Sequence, residues 1–163
     1  MIVTFVALLV SCILAGESTF QGLFLLIVLL SVRELTGLVN ANKGTSVNQP
    51  MTMAAAFFAT LAVFRFKGGD TASTVASMAC FALIMMEVFI MELYRKKDSP
   101  VLNLAVSALS VIYIALPFSM LSFLAYFPQA TNVQGYSFIL PLALFIFIWC
   151  NDVGAYCFGC TLG

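Results

Sequence analysis

The chain contains no histidine. Imidazole general-base catalysis and histidine-ligated metal centres are therefore excluded. Charge is also scarce, at 9% of residues, where soluble domains carry about 25%. Seven basic residues balance seven acidic ones, so the chain lacks the excess positive charge that nucleic-acid binding draws on. There is no Asn-x-Ser/Thr acceptor site for glycosylation. What fills the chain instead is apolar: 63% of its 163 residues are hydrophobic, and mean hydropathy is +1.09. A soluble fold of this size could not hide so much apolar surface. The composition specifies an integral protein of the lipid bilayer.

Five cysteines are present: Cys12, Cys80, Cys150, Cys157 and Cys160. Cys157 and Cys160 form a C-x-x-C, but a zinc site would need two further ligands nearby. None is close in sequence. The cysteines read as small residues at helix interfaces.

Polar residues, glycine and proline divide the chain into six apolar segments, roughly 1–15, 20–39, 51–66, 71–93, 101–127 and 134–158. Runs this long exclude the alternating strands of a membrane barrel. The expected fold is all-α: one polytopic transmembrane helical domain, 1–163, of about six transmembrane helices. The first segment lacks a basic leader and a clear cleavage site, so it reads as a membrane segment and not a signal peptide. It is short for a span, and its natural start is expected to have been trimmed. The third segment is also short, which suits a tilted, buried or partly interfacial helix.

Lys and Arg set the expected orientation. Arg95-Lys96-Lys97 places its loop in the cytoplasm, and alternation adds Lys43 and Arg33 on that side. Only Arg65 and Lys67 fall outside. On this scheme Arg33, Glu34 and Glu87 all lie in the cytoplasmic half of the bilayer. That pattern predicts a water-accessible cavity lined by them and open to the cytosol. Arg33 can also be read as simply snorkelling. Glu92, spaced for Arg95 and Lys96, reads as interfacial helix support.

Asp152 ends the apolar run from Tyr136 to Cys150. A carboxylate there costs several kcal/mol, on the order expected for a mid-span Asp, and such groups serve ions, protons or charged substrates. Asn151 precedes it, and Gly154, Ala155, Gly159 and Gly163 make a sparse surface that a ligand or helix can approach. A carboxylate is a suitable hard ligand for Mg²⁺ beside phosphate oxygens. The residues alone leave a metal–nucleotide site and a proton relay open.

The block Asn151-Asp152-Val153-Gly154-Ala155-Tyr156, with Gly159 and Gly163, resembles phosphatidate cytidylyltransferases (CDP-diacylglycerol synthases). The resemblance is specific over about the last 25 residues and looser upstream, where Glu34 and the Tyr94–Lys97 loop fit the family layout. It implies cytidylyl transfer from CTP to phosphatidic acid, in phospholipid biosynthesis, with Mg²⁺ as cofactor. Asp152 would then be the catalytic carboxylate and metal ligand, and Asn151, Gly154 and Tyr156 would contact substrate. It further implies a bacterial inner-membrane protein with its site facing the cytoplasm, and leaves room for a homodimer. The family usually has Thr where Val153 stands, so position 153 receives no ligand role. The family also continues into a Ser-x-Lys-Lys-[Ser/Thr]-x-Glu-Gly block and a second essential Asp. The 163-residue chain is therefore expected to be an N-terminal portion that is inactive by itself. An ion- or proton-coupled transporter and a non-catalytic assembly subunit remain alternatives.

Overall fold

The computed structural model describes residues 2–41, 44–67, 69–97, 99–126 and 135–162. Among these residues there are six helices and no strand: α1 (Ile2–Ala15), α2 (Glu17–Asn40), α3 (Gln49–Lys67), α4 (Thr71–Tyr94), α5 (Pro100–Ala125) and α6 (Ile139–Leu162). This is the all-α membrane fold that the apolar segments predict. Lys43, Gly163 and the loop from Pro128 to Gln134 lie outside the described residues.

Four helices, α2, α4, α5 and α6, are long and apolar enough to cross a membrane. With 14 residues, α1 is shorter than the roughly 20-residue span a bilayer requires. The 19-residue α3 takes the buried option. It enters with Gln49 and Pro50, leaves with Arg65 and Lys67, and buries Thr52, Ala55, Ala56, Ala59, Thr60, Ala62 and Phe64.

The chain divides into two compact units. One comprises Gln21–Ser122. Its core joins Val28 and Val32 of α2, Ala55, Ala56 and Ala59 of α3, and Val111, Ile114 and Ala115 of α5. The alanines let α3 lie close to its neighbours, as small residues do between membrane helices. The Phe24 and Phe118 rings meet at 6.4 Å. Within α5, Val111–Ala115 is a π-turn, a single wide turn of the kind inserted in otherwise regular α-helices.

Asp70 closes the α3–α4 turn. Gly69, at φ +78°, reverses the chain in a conformation that glycine adopts without Cβ strain. Asp70 then caps α4 by accepting the Ser73 amide at 3.1 Å. The Ser73 hydroxyl and amide, together with Arg65, hold the Asp70 carboxyl below its ordinary value, against a smaller opposing desolvation.

The other unit comprises Met1–Phe20 and Phe123–Gly163. Gly16, at φ +127°, separates α1 from α2 with a single residue, so α2 starts earlier than its apolar run. Glu17 in the first turn of α2 suits the positive end of the helix dipole. Tyr136 organises this unit. Its hydroxyl donates to the Ile13 carbonyl at 2.7 Å, and its ring lies 5.6 Å from buried Phe20 and 6.3 Å from Tyr126. Beside it the Ser137 amide donates to the Ala125 carbonyl at 2.7 Å. Burial, with a smaller contribution from Glu17, pushes the Tyr136 phenol up to about 12.

Candidate functional site

Three features carry polar chemistry. The first is Asp152 on α6. An unbroken helix through Ile139–Leu162 fixes which neighbours share its face. At about 100° per residue, Ala155, Tyr156 and Gly159 lie on the Asp152 side. Asn151 stands one step round. Gly154 sits about 160° away from Asp152, on the opposite side of the helix. Burial agrees: Gly154 is half-buried, whereas Asn151, Asp152, Ala155, Tyr156 and Gly159 are exposed. The helix thus sets Gly154 on the side away from the carboxylate, which it presents outward with Tyr156 beside it.

The donors available there bear on a metal. Mg²⁺ keeps several waters and uses one or two carboxylates together with substrate phosphates. Asp152 supplies one carboxylate and Asn151 an adjacent amide oxygen. Among the described residues no set of three His, Cys, Asp or Glu side chains could enclose a metal ion. The exposed thiols of Cys150, Cys157 and Cys160 form no such set. Asp152 thus offers one carboxylate and no closed protein cage among the described residues.

The second feature lies at the end of α2, within the Gln21–Ser122 unit. A cleft of about 470 Å³ is lined by Arg33, Glu34, Gly37, Leu38, Ala41 and Gln49. Arg33 and Glu34 are both exposed. The wall is built by a specific contact. The Gln49 amide nitrogen donates to the Arg33 carbonyl at 3.0 Å, and a Cβ at position 37 would meet that nitrogen at 3.3 Å. Gly37 is thus what lets Gln49 reach across. Glu87 is exposed on α4 and is not part of this lining.

The third feature is a buried polar network that sequence reasoning misses. Glu92 pairs with Arg95 as its spacing predicts, but from a buried position, 5% exposed. Its carboxylate accepts Arg95 Nη1 at 3.1 Å and the Asn103 amide. Arg95 also donates to the Ser46 carbonyl at 2.9 Å and to its hydroxyl at 3.1 Å. The Ser46 amide donates to Asn103 Oδ1 at 2.9 Å. Next to it, the Asn40 side chain brackets Val47, accepting its amide at 2.6 Å and donating to its carbonyl at 3.0 Å. Surface support requires water around the carboxylate. Here Asn103, itself 1% exposed, replaces that water. The network ties the ends of α2 and α4 to the start of α5, so the halves of α2 and α4 that carry Arg33, Glu34 and Glu87 lead to one common end of this unit.

A signal for the network was available. Asn103, Ser107 and Ser110 recur at helical spacing inside an apolar segment, and all three are buried. Ser107 also meets Thr52 of α3, hydroxyl to hydroxyl, at 3.1 Å.

Comparison with known proteins adds one match. A family model described as the cytidylyltransferase family matches residues 1–163. No curated protein and no solved structure matches the chain.

Proposed function

Because the chain belongs to the cytidylyltransferase family, we propose that it serves the transfer of a cytidylyl group from CTP to phosphatidic acid in the synthesis of membrane phospholipid. An oxygen of the lipid phosphate attacks the α-phosphorus of CTP. The bond from that phosphorus to the bridging oxygen breaks, and pyrophosphate leaves with the electron pair. The products are CDP-diacylglycerol and pyrophosphate. Reactions of this type depend on positioning and charge neutralisation more than on covalent catalysis.

The observation that carries this reading is the exposed Asp152 carboxylate in its Asn-Asp-Val-Gly-Ala-Tyr block, on a chain that matches the nucleotidyltransferase family from end to end. Asp152 would hold Mg²⁺ at the CTP phosphates, where the ion neutralises charge on the α-phosphate and on the departing pyrophosphate. Asn151 offers an amide to the same phosphates or to the ribose. Tyr156, on the same face one turn on, offers a phenol edge to the nucleotide. Gly154 stands about 160° round the helix from Asp152, and the space beside it is open, since a Cβ there would meet nothing within 4 Å. The lipid-soluble and water-soluble substrates meet at a membrane surface, which this reading places on the cytoplasmic side of a bacterial inner membrane.

The test is conversion of labelled CTP into organic-soluble lipid by membranes that contain the protein expressed from its full coding frame. Phosphatidic acid should be required, and Asp152→Asn should abolish conversion while leaving insertion intact. Conversion unaffected by Asp152→Asn would refute the role of this carboxylate. Ion flux that depends on Asp152, without lipid conversion, would establish transport instead.

A further inference from the structure

The cleft at the end of α2 combines two side chains of opposite and complementary chemistry. Arg33 is a donor-only fork, whereas Glu34 as a carboxylate is an acceptor only. Neighbours one residue apart diverge by about 100° on a helix, so they do not satisfy each other through the usual helix pairing. Yet both line one cleft of about 470 Å³. A ligand that answers both must present an anionic acceptor to Arg33 and a hydrogen-bond donor to Glu34 a few ångströms away.

The surroundings narrow the choice. Arg33 is seven residues before the end of α2 at Asn40, or roughly 10 Å along the axis. In a helix of membrane-spanning length that depth places a guanidinium within snorkelling reach of the headgroup phosphates. Leu38 on the rim is 63% exposed, an apolar edge suited to a lipid chain. Carbonyls near the helix end, which would repel an anion, are engaged elsewhere. That of Arg33 takes the Gln49 amide at 3.0 Å, that of Gly37 the Ala41 amide at 3.1 Å, and that of Val39 the Thr45 hydroxyl. The Gln49 amide nitrogen, held by the Arg33 carbonyl, leaves its own oxygen as a further acceptor.

From this arrangement we infer that the Arg33–Glu34 cleft binds a phosphate monoester headgroup, with Arg33 on the phosphate oxygens and Glu34 accepting from the remaining P–OH. Guanidinium is the side chain best matched to bidentate phosphate contact. A phosphodiester has no P–OH, so Glu34 would only repel one whose alcohol carries no hydroxyl or ammonium donor of its own. The same pair therefore supplies both affinity for phosphate and preference for the monoester. The inference rests on the proposed lipid-phosphate substrate for its biological sense, but every residue of the cleft belongs to the Gln21–Ser122 unit and its binding needs no CTP.

The experiment measures binding of short-chain phosphatidic acid to the detergent-solubilised protein by ligand-induced thermal shift, with no nucleotide present. Phosphatidylmethanol of the same chains, whose headgroup has no donor, serves as the diester control, and glycerol 3-phosphate as the lipid-free monoester. The wild type should bind phosphatidic acid in preference to phosphatidylmethanol. Arg33→Gln should weaken binding by about tenfold or more, the scale of a lost charge-assisted hydrogen bond, and Arg33→Lys should restore part of it. Glu34→Gln should narrow the preference for monoester over diester. Both positions are exposed, so the variants should fold. Binding of glycerol 3-phosphate comparable to the lipid would identify a soluble phosphate ester as the occupant through the same contacts. Weaker binding would identify the lipid. Phosphatidic acid binding unchanged in Arg33→Gln would overturn the inference and leave Arg33 as a snorkelling residue. Lipid conversion that survives such a result would keep the proposed reaction, whereas Arg33-dependent binding without any conversion would keep the cleft and reject the reaction.

Discussion

Glu92 and Asn103 hydrogen-bond to each other between α4 and α5, eleven residues apart, with both side chains withdrawn from solvent. Their pairing converts a charged turn into a structural joint. The buried carboxylate is supported on one side by the Arg95 guanidinium and on the other by the Asn103 amide. Asn103 uses its remaining oxygen to hold the Ser46 backbone. A buried charge is tolerated only when its partners are in place.

Asn103→Ala should therefore destabilise the protein by about 1–3 kcal/mol, because it leaves the Ser46 amide and one Glu92 oxygen without partners in a buried setting. Thermal unfolding in detergent, followed by circular dichroism, measures this. A double-mutant cycle with Glu92→Gln should show coupling of about 1 kcal/mol. Additive effects would mean that the two side chains act independently.

Asp152→Asn should reduce lipid conversion by on the order of 100-fold or more, since it removes the one carboxylate proposed to hold the metal. Tyr156→Phe should act more mildly. The α6 helix should be unaffected, because Asp152 is exposed and its helix bonds are backbone bonds. Retained conversion with reduced membrane insertion would assign Asp152 to assembly.

Tyr136 predicts an alkaline limit. Its phenol is raised above the ordinary value of 10.0 to about 12, so the folded state holds this proton more tightly than the unfolded state. The associated stability is complete below about pH 10 and is lost as pH rises towards 12. Ultraviolet titration should show one late phenolate in the wild type that is missing in Tyr136→Phe. That substitution also deletes the hydroxyl donated to Ile13 and should cost about 1 kcal/mol, measured at neutral pH.

Asp70 predicts the acid counterpart. Its carboxyl is held below the ordinary 3.8, so the folded state releases this proton more readily. The associated stability is present above that value and fades as pH falls through the lowered one. Asp70→Asn should keep the cap on α4 while removing this part of the acid dependence, since Asn caps about as well as Asp. Asp70→Ala should lose both. Melting profiles across acidic pH separate the two variants.

The helices were legible because each is a long apolar run ended by charge, glycine or proline, a local property of the chain. The outward Asp152 and the α2 pair Arg33 and Glu34 were legible for a related reason: a short carboxylate in a membrane-length segment is costly wherever the chain folds. The Glu92 joint was not legible in the same way. It depends on Ser46 meeting Asn103 across 57 residues, and no spacing rule relates a loop to a later helix. Local spacing instead favoured Arg95 and Lys96, which describes only one side of Glu92. The placement of Gly154 was within reach, because helical rotation separates residues two apart by about 200°. The motif sets it beside Asp152 in sequence, and the helix carries it about 160° round.

The π-turn at Val111–Ala115 also sets the angular phase of α5. In an uninterrupted α-helix Ser119 would stand about 160° round from Asn103. The extra residue in the wide turn takes up about one step of rotation and swings Ser119 and Ser122 back towards the side of Asn103, Ser107 and Ser110. All five are buried. Deleting one residue from the turn would leave α5 helical yet expose its last serines to lipid, so the helix keeps two polar rows in line only because it is one residue too long.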